Sequence, residues 1–172
     1  MRRFFLILAV IISAIGVNAQ KFAMVDMDYI LKNIPSYESA NDKLSQLSTR
    51  WQKEVEAKLL EIQTMYKNYN TELVFLSAEM QNKRVEEIRA AENEVNALKR
   101  KYFGPEGELF KKREALVKPI QEEVYNAVQE ICTSKGYQLI LDKKSSSGII
   151  FASPKIDISD DVLQQLGYSS SK

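Results

Sequence analysis

A helical pattern of roughly forty residues without an internal glycine or proline is the feature that most constrains this chain. Between Ser36 and Leu76 the apolar side chains recur three and four residues apart, as they do along one face of an α-helix. At ~1.5 Å of rise per residue, such a helix is about 60 Å long. Globular helices are far shorter on average, so we expect this segment to project from any small body that the other residues form.

A second long helix is predicted after a short turn at Leu76 and Ser77. Ser77 can serve as its N-cap, as Ser36 can for the first helix, and Glu79 follows in the first turn. Because a short connection leaves consecutive helices antiparallel, the two helices should form a coiled-coil arm. The tip of this arm is predicted near residues 75–80.

The second helical pattern is interrupted by Gly104, Pro105, Glu106 and Gly107. Proline removes a backbone donor and glycine weakens a helix by about 1 kcal/mol, so a kink or short break is predicted here. Gly104, Pro105 and Gly107 are candidate hinge residues. A static bend is the alternative, and the sequence leaves both open.

The two ends of the chain are predicted to form a small body with three strands. Phe22–Met27 has the pattern of a strand, Gly136 ends the second helix, and Tyr137–Asp142 and Ile149–Ala152 have the pattern of two further strands that pair with the first. A short helix capped by Ser159 follows. The predicted fold class is therefore α+β and mostly α, with a long antiparallel helical hairpin and a small β body.

Three short strands bury too little apolar surface to be stable alone, so we expect the bodies of several copies to associate. Sheet edges and apolar faces are the surfaces available for that contact. The number of copies does not follow from this argument. The residues predicted to form the contact lie on the predicted strands: Phe22, Met24, Val25, Leu139, Ile140, Leu141, Ile149, Ile150 and Phe151.

The first nineteen residues have the three parts of a cleaved secretory signal peptide. Arg2 and Arg3 precede an apolar run, and Ala19 ends a small-residue cleavage site. We therefore expect export, with residues 1–19 removed, residues 20–35 and 119–172 as the body, and residues 36–118 as the arm. Without Arg2 and Arg3 the chain has 22 basic and 23 acidic residues, a net charge of −1 that gives no argument for a nucleic-acid partner.

No motif in the sequence supports catalysis. The chain has no histidine and a single cysteine, and it lacks phosphate-loop, nucleophile and metal-ligand spacings. Asp26 and Asp28 are interpreted as a solvated or capping pair, and Cys132 as a buried thiol. We predict that the protein is not an enzyme, has no cofactor or metal, and uses no ATP.

The order of these elements resembles the Skp/OmpH family of periplasmic holdase chaperones. The resemblance covers essentially the whole chain after the signal peptide and is carried by "FAMVDMDYIL", the helical arm, "IQEEVYNAVQEICTSKGYQLILD" and "KIDISDDVLQQL". It implies a jellyfish-like homotrimer in the periplasm, in which the three bodies assemble from strands and the three arms enclose a cavity. In that cavity the family holds unfolded outer-membrane proteins without ATP and prevents their aggregation on the way to the outer membrane.

The arm tips depart from the family, whose best-known members are strongly basic there. From Lys67 to Arg89 the chain has four basic and four acidic residues, a balance of zero. This argues against contact of the tips with lipopolysaccharide or an anionic membrane.

Apolar residues outside the helix–helix seam are the candidates for binding a client. They cannot all face the partner helix; the alternative is that some of them close around the seam or the contact between copies. These residues are Leu60, Met65, Val74, Phe75, Met80, Phe103 and Phe110. The competing interpretation is a structural coiled-coil protein of the envelope, or an adaptor that binds one folded partner.

Overall fold

The structure is a computed structural model and describes residues 21–145 and 148–169. The predicted signal peptide lies outside the described residues. The described regular elements, in chain order, are β1 (Lys21–Val25), α1 (Met27–Lys32), α2 (Pro35–Glu72), a 3-10 turn (Leu73–Phe75), α3 (Ala78–Phe103), α4 (Glu108–Lys135), β2 (Tyr137–Asp142), a second 3-10 turn (Pro154–Ile156) and α5 (Ser159–Gln165). They fall into two compact units: residues 34–122, here called the helical unit, and the residues before 34 and after 122, here called the terminal unit.

The helical unit contains the predicted hairpin. Trp51 on α2 stacks on Tyr102 of α3, and Tyr66 of α2 bonds to Glu92 of α3, so the two helices run antiparallel from the turn at residues 73–77. A continuous core lies between them and consists of Trp51, Val55, Ile62, Ile88, Val95 and Tyr102. The spacing of these residues at four and seven positions is what lets two amphipathic helices bury one face each.

One predicted N-cap is correct and another is wrong. The Ser77 hydroxyl accepts the N–H of Met80 at 3.3 Å, as expected. Ser36, however, is already helical, since α2 begins at Pro35 with Ile34 in the cap position and no side-chain cap. Proline suits the first helical position because it has no N–H to leave unsatisfied, and it holds the preceding residue in an extended conformation, here φ −101° and ψ 113°.

The terminal unit contains a two-stranded parallel sheet. β1 pairs with β2 in the register Phe22 with Leu139 and Met24 with Leu141. The predicted strand Ile149–Ala152 is wrong for this structure, in which these residues are irregular. The other edge of β1 is occupied by the chain around residue 157. Asp157 forms a bridge with Met24, and the N–H of Ile158 donates to the Met24 carbonyl at 2.9 Å.

The first strand is also shorter than predicted, because Asp26 starts a helix that the sequence reading missed. The Asp26 carboxylate accepts the N–H of Tyr29 at 2.9 Å and caps α1, so β1 ends at Val25. The capping interpretation of Asp26 is thereby confirmed. α1 places Ile30 and Leu31 in the interior, and it packs against α5.

Ser159 is the first residue of α5 and not its cap, which corrects a further prediction. Its side chain is buried; the hydroxyl accepts the Asp26 N–H at 2.8 Å and donates to Asp157 at 2.6 Å. The predicted stops are correct: Gly136 and Gly167 have φ of +69° and +82°, values that glycine adopts without steric cost.

Asp157 connects the last segment of the terminal unit to the sheet. Its carboxylate accepts from the Lys143 ammonium and from both the N–H and the hydroxyl of Ser159. Burial would raise the pKa of this carboxyl, but the hydrogen bonds from Lys143 and Ser159 outweigh it and hold the pKa below its ordinary value of 3.8. The same balance lowers the pKa of Asp142, which accepts the N–H groups of Met27 and Ser145.

We expect Asp157→Asn to lower the free energy of unfolding at pH 7 by about 1–2 kcal/mol, because it keeps the shape but removes the charge that strengthens these bonds. A carboxyl whose pKa is lower in the folded state stabilises above its unfolded pKa, and that contribution is lost as the pH falls through the folded value. The stability of the parent should therefore be flat from pH 7 to 5 and fall below about pH 4, with a smaller fall in the variant. Urea unfolding at pH 7, 5 and 3 measures this, with the exposed Asp42→Asn as the matched control. Identical acid dependence in Asp157→Asn and parent would contradict it.

Candidate functional site

The turn between α2 and α3 carries the most exposed of the large apolar side chains in the helical unit. Val74 and Phe75 are 85% and 86% exposed, and Met80 in the first turn of α3 is also exposed. The backbone beneath them is satisfied, since the Gln81 amide donates to the carbonyls of Leu73 and Leu76 at 3.2 and 3.1 Å. The turn is thus closed by polar bonds while its apolar side chains remain in solvent. Gln81 was missed by the sequence reading, and no local pattern marks it.

The other four predicted client-binding residues divide into two pairs. Leu60 and Phe110 are exposed, as predicted for residues outside the seam. Met65 is half-buried and packs against the hairpin core, so it belongs to the seam. Phe103 is partly exposed but also makes edge contacts with the rings of Trp51 and Tyr102, at centroid distances of 6.5 and 6.3 Å.

An aromatic cluster lies immediately before the break in the second helical segment. The rings of Trp51 and Tyr102 are stacked, with centroids 4.7 Å apart and planes 6° from parallel. The Tyr102 hydroxyl donates to the Glu54 carboxylate at 3.0 Å, a bond that raises the pKa of Tyr102. Stacking and this bond together anchor the last turn of α3 on α2.

The break itself is closed tightly enough that two of its residues have to be glycine. A Cβ on Gly104 would lie 2.4 Å from the Arg100 carbonyl oxygen, and one on Gly107 would lie 2.8 Å from the Tyr102 oxygen. The Gly107 N–H donates to the Gly104 carbonyl at 2.9 Å. The predicted interruption of the helix is therefore present, whereas a hinge motion at Gly104, Pro105 and Gly107 stays a prediction.

The predicted oligomer-contact residues are partly exposed and partly buried. Met24 and Val25 lie in the interior of their own unit, and Ile140, Leu141 and Ile149 are half-buried. Four are exposed: Phe22 and its register partner Leu139, and in the irregular segment after β2, Ile150 at 102% and Phe151 at 83%. Large apolar residues so exposed generally indicate a surface that another molecule covers.

Comparison with known proteins identifies the family of this chain. The family model described as Outer membrane protein (OmpH-like) matches residues 21–166. The chain belongs to the OmpH-like family. Among solved structures, it is similar to a protein from Caulobacter crescentus CB15 proposed to be an OmpH-like outer membrane chaperone. That match has a TM-score of 0.66, 12% sequence identity, and coverage of 88% of this chain and 86% of the other, and at such identity it shows the fold alone. No curated protein matches the sequence.

Within residues 21–145 and 148–169 the structure shows neither a membrane-spanning helix nor a metal-binding cluster. No helix in these ranges has the length and hydropathy needed to cross a membrane, and no group of three or more His, Cys, Asp or Glu residues could hold a metal ion. Cys132 is half-buried and not fully buried as predicted, and its thiol donates to the Tyr137 carbonyl at 3.1 Å.

Proposed function

We propose that this OmpH-like chain is an ATP-independent holdase chaperone of the periplasm. It binds unfolded outer-membrane proteins in a cavity between the arms of a trimer and prevents their aggregation on the way to the outer membrane. The observation that carries the proposal is the apolar tip of the hairpin, where Val74, Phe75 and Met80 stay in solvent although the turn beneath them is closed. A coiled-coil spacer gains nothing from such residues.

The size of these contacts suits a chaperone that releases its client without fuel. Covering one large apolar side chain contributes about 1.5–3 kcal/mol, so covering two at once gives about 3–6 kcal/mol. Alone, that corresponds to dissociation constants of about 6 mM to 0.04 mM. Several such arms acting on one unfolded chain raise the overall affinity through effective concentration, while each contact still opens rapidly.

The trimer in this proposal is supported by the terminal unit. Its sheet has two strands among the described residues, and the edge of β2 away from β1 has no strand paired with it there. Phe22 and Leu139 on the sheet, with Ile150 and Phe151 after it, add exposed apolar surface. An unpaired edge beside exposed apolar residues is suited to pairing with another copy, and the family resemblance supplies the number three.

We expect Val74→Ser/Phe75→Ser to require about tenfold more protein to keep half of an unfolded barrel protein soluble. The double change removes part of the apolar surface that a client covers, and about 1.4 kcal/mol is a factor of ten. The assay is light scattering after dilution of the barrel protein from denaturant. Tyr125→Ser is the matched control, because Tyr125 is an exposed aromatic residue, at 66%, in the terminal unit.

Assaying two unrelated unfolded barrel proteins distinguishes a holdase from an adaptor that binds one folded partner. A holdase should protect both, and the tip variant should lose protection of both. If the parent protects neither protein, the proposed function is wrong. If the tip variant and Tyr125→Ser both protect as well as the parent, the apolar tip is not the surface that binds unfolded proteins.

A further inference from the structure

We propose that the helix break carries a second client contact, a cationic surface that selects acidic unfolded segments. This inference rests on the proposed function and names the chemistry of the segment that is held. The surface, here called the elbow patch, consists of six exposed basic residues, three on each side of the break: Lys99, Arg100, Lys101, Lys111, Lys112 and Arg113.

The elbow patch concentrates positive charge in a chain that is otherwise acidic. Residues 99–113 contain these six basic residues and two acidic ones, Glu106 and Glu108, for a net charge of +4. Residues 21–172 together have a net charge of −1, so everything outside the patch sums to −5. Neither the net charge of the whole chain nor the balance at the tip reveals this segment, whereas a charge count in a sliding window does.

The charges of the elbow patch are not neutralised by the chain itself. Among the described residues, the ion pairs use other cations on the helical unit, namely Lys58 and Arg84. None of the six patch residues takes part in an ion pair of the described parts. The Lys101 ammonium lies over the Tyr102 ring, 5.5 Å from its centroid, and exposed cations without a carboxylate partner are available to a ligand without first breaking an ion pair.

Tight packing of the break fixes the short connection between the two basic runs. Gly107 folds back on the carbonyls of Lys101 and Tyr102, so close that a Cβ there would lie 2.8–2.9 Å from them. Tyr102 belongs to the hairpin core, and Leu109, one turn into α4, packs against the same core. One apolar cluster thus anchors the chain on both sides of the elbow patch.

Helix stability alone does not explain the arrangement. Arg100 and Lys101 lie in the last turn of α3, where basic residues favour the negative end of the helix dipole. Lys111, Lys112 and Arg113 lie near the opposite, positive end of α4, where basic residues gain nothing from the dipole. The second run is therefore not accounted for by the helix that contains it.

An acidic polypeptide fits the elbow patch because apolar rings lie among its cations. Phe103 at the end of α3 and Phe110 at the start of α4 are 39% and 45% exposed. A segment with carboxylates and apolar side chains can satisfy both, whereas lipid headgroups would use the charges alone. The tip, where the charge is balanced, offers only apolar contacts, so the two surfaces differ in what they select.

The test uses two fluorescent peptides of equal length and apolar content, one with glutamates and one with lysines in the same positions. The parent should bind the glutamate peptide more tightly, and Lys111→Gln/Lys112→Gln/Arg113→Gln should weaken that binding about tenfold, as three lost charge contacts predict. Binding by the parent should fall when salt is raised from 50 to 300 mM, and binding by the variant should respond less. Lys67→Gln/Lys83→Gln/Arg89→Gln is the matched control, since it removes the same charge from exposed residues near the tip that have no ion pair in the described structure.

Three results would overturn the inference. The control variant could bind the glutamate peptide as weakly as the patch variant does, which would mean that the loss of binding follows net charge and not the elbow patch. The patch variant could lose binding of the lysine peptide as much as binding of the glutamate peptide, which would mean that the elbow patch does not select acidic segments. The patch variant could lose binding to vesicles that contain anionic phospholipid and keep binding to the glutamate peptide, which would mean that the elbow patch binds lipid. In each case the parent can still protect unfolded barrel proteins, so failure here is distinct from failure of the proposed function.

Discussion

Ile150→Asp/Phe151→Asp should convert a homotrimer of the exported chain into monomers. Ile150 and Phe151 are 102% and 83% exposed in the single chain and lie in the segment after β2, a strand whose outer edge is unpaired in the described residues. Burying both side chains in an interface contributes about 3–6 kcal/mol per copy, and a buried unpaired carboxylate costs several more. Light scattering should give three times the chain mass for the parent at micromolar concentration and one chain mass for the variant.

A variant with shortened helices is the control that places the assembly in the terminal unit. Deleting residues 55–72 and 82–99 removes eighteen residues from each helix, which is five whole turns, and keeps both the turn with Gln81 and the Trp51–Tyr102 stack. This variant should remain a trimer. A monomeric parent would refute the trimer, and a monomeric shortened variant would place the contact in the arms.

Gly104→Ala/Pro105→Ala/Gly107→Ala should turn the break into continuous helix. In the observed conformation an alanine Cβ at Gly104 would meet the Arg100 oxygen at 2.4 Å, so this conformation is no longer accessible. On intrinsic propensities the three changes favour helix by about 4–5 kcal/mol, more than a hundredfold. Spin labels at positions 97 and 115, in a Cys132→Ala background, should then report about 27 Å, the rise of eighteen helical residues. Glu106→Ala, which keeps both glycines and the proline, is the matched control and should leave the label distance of the parent unchanged.

The same triple variant tests the hinge. If the break lets each arm adapt to its client, the straightened variant should protect small unfolded barrel proteins as the parent does, and large ones markedly less. The trimer should survive, because the changes lie in the helical unit. Equal protection of both sizes by variant and parent would mean that the break is a static bend.

The parts of the fold that follow from local chemistry were predictable from the sequence. Ser77 caps α3, Gly136 and Gly167 stop helices, and Gly104 to Gly107 interrupt one, because each effect depends on residues within a few positions. The candidate site followed in the same way where exposure depends on the turn, as for Val74 and Phe75. Met65 was wrongly predicted to lie outside the seam, because its burial depends on how α2 packs against α3.

By itself, then, the sequence determined the long antiparallel hairpin, its turn, its break and the family to which the chain belongs. Only the tertiary structure decided how the ends of the chain pair. β1 binds β2 in parallel, and Asp157 and Ile158 take its other edge, where the strand pattern favoured Ile149–Ala152. Apolar alternation shows that a segment can be a strand but not which partner it has, because pairing joins residues more than a hundred positions apart. Here the choice depends on a carboxylate, a buried serine and a lysine that meet only in the folded chain.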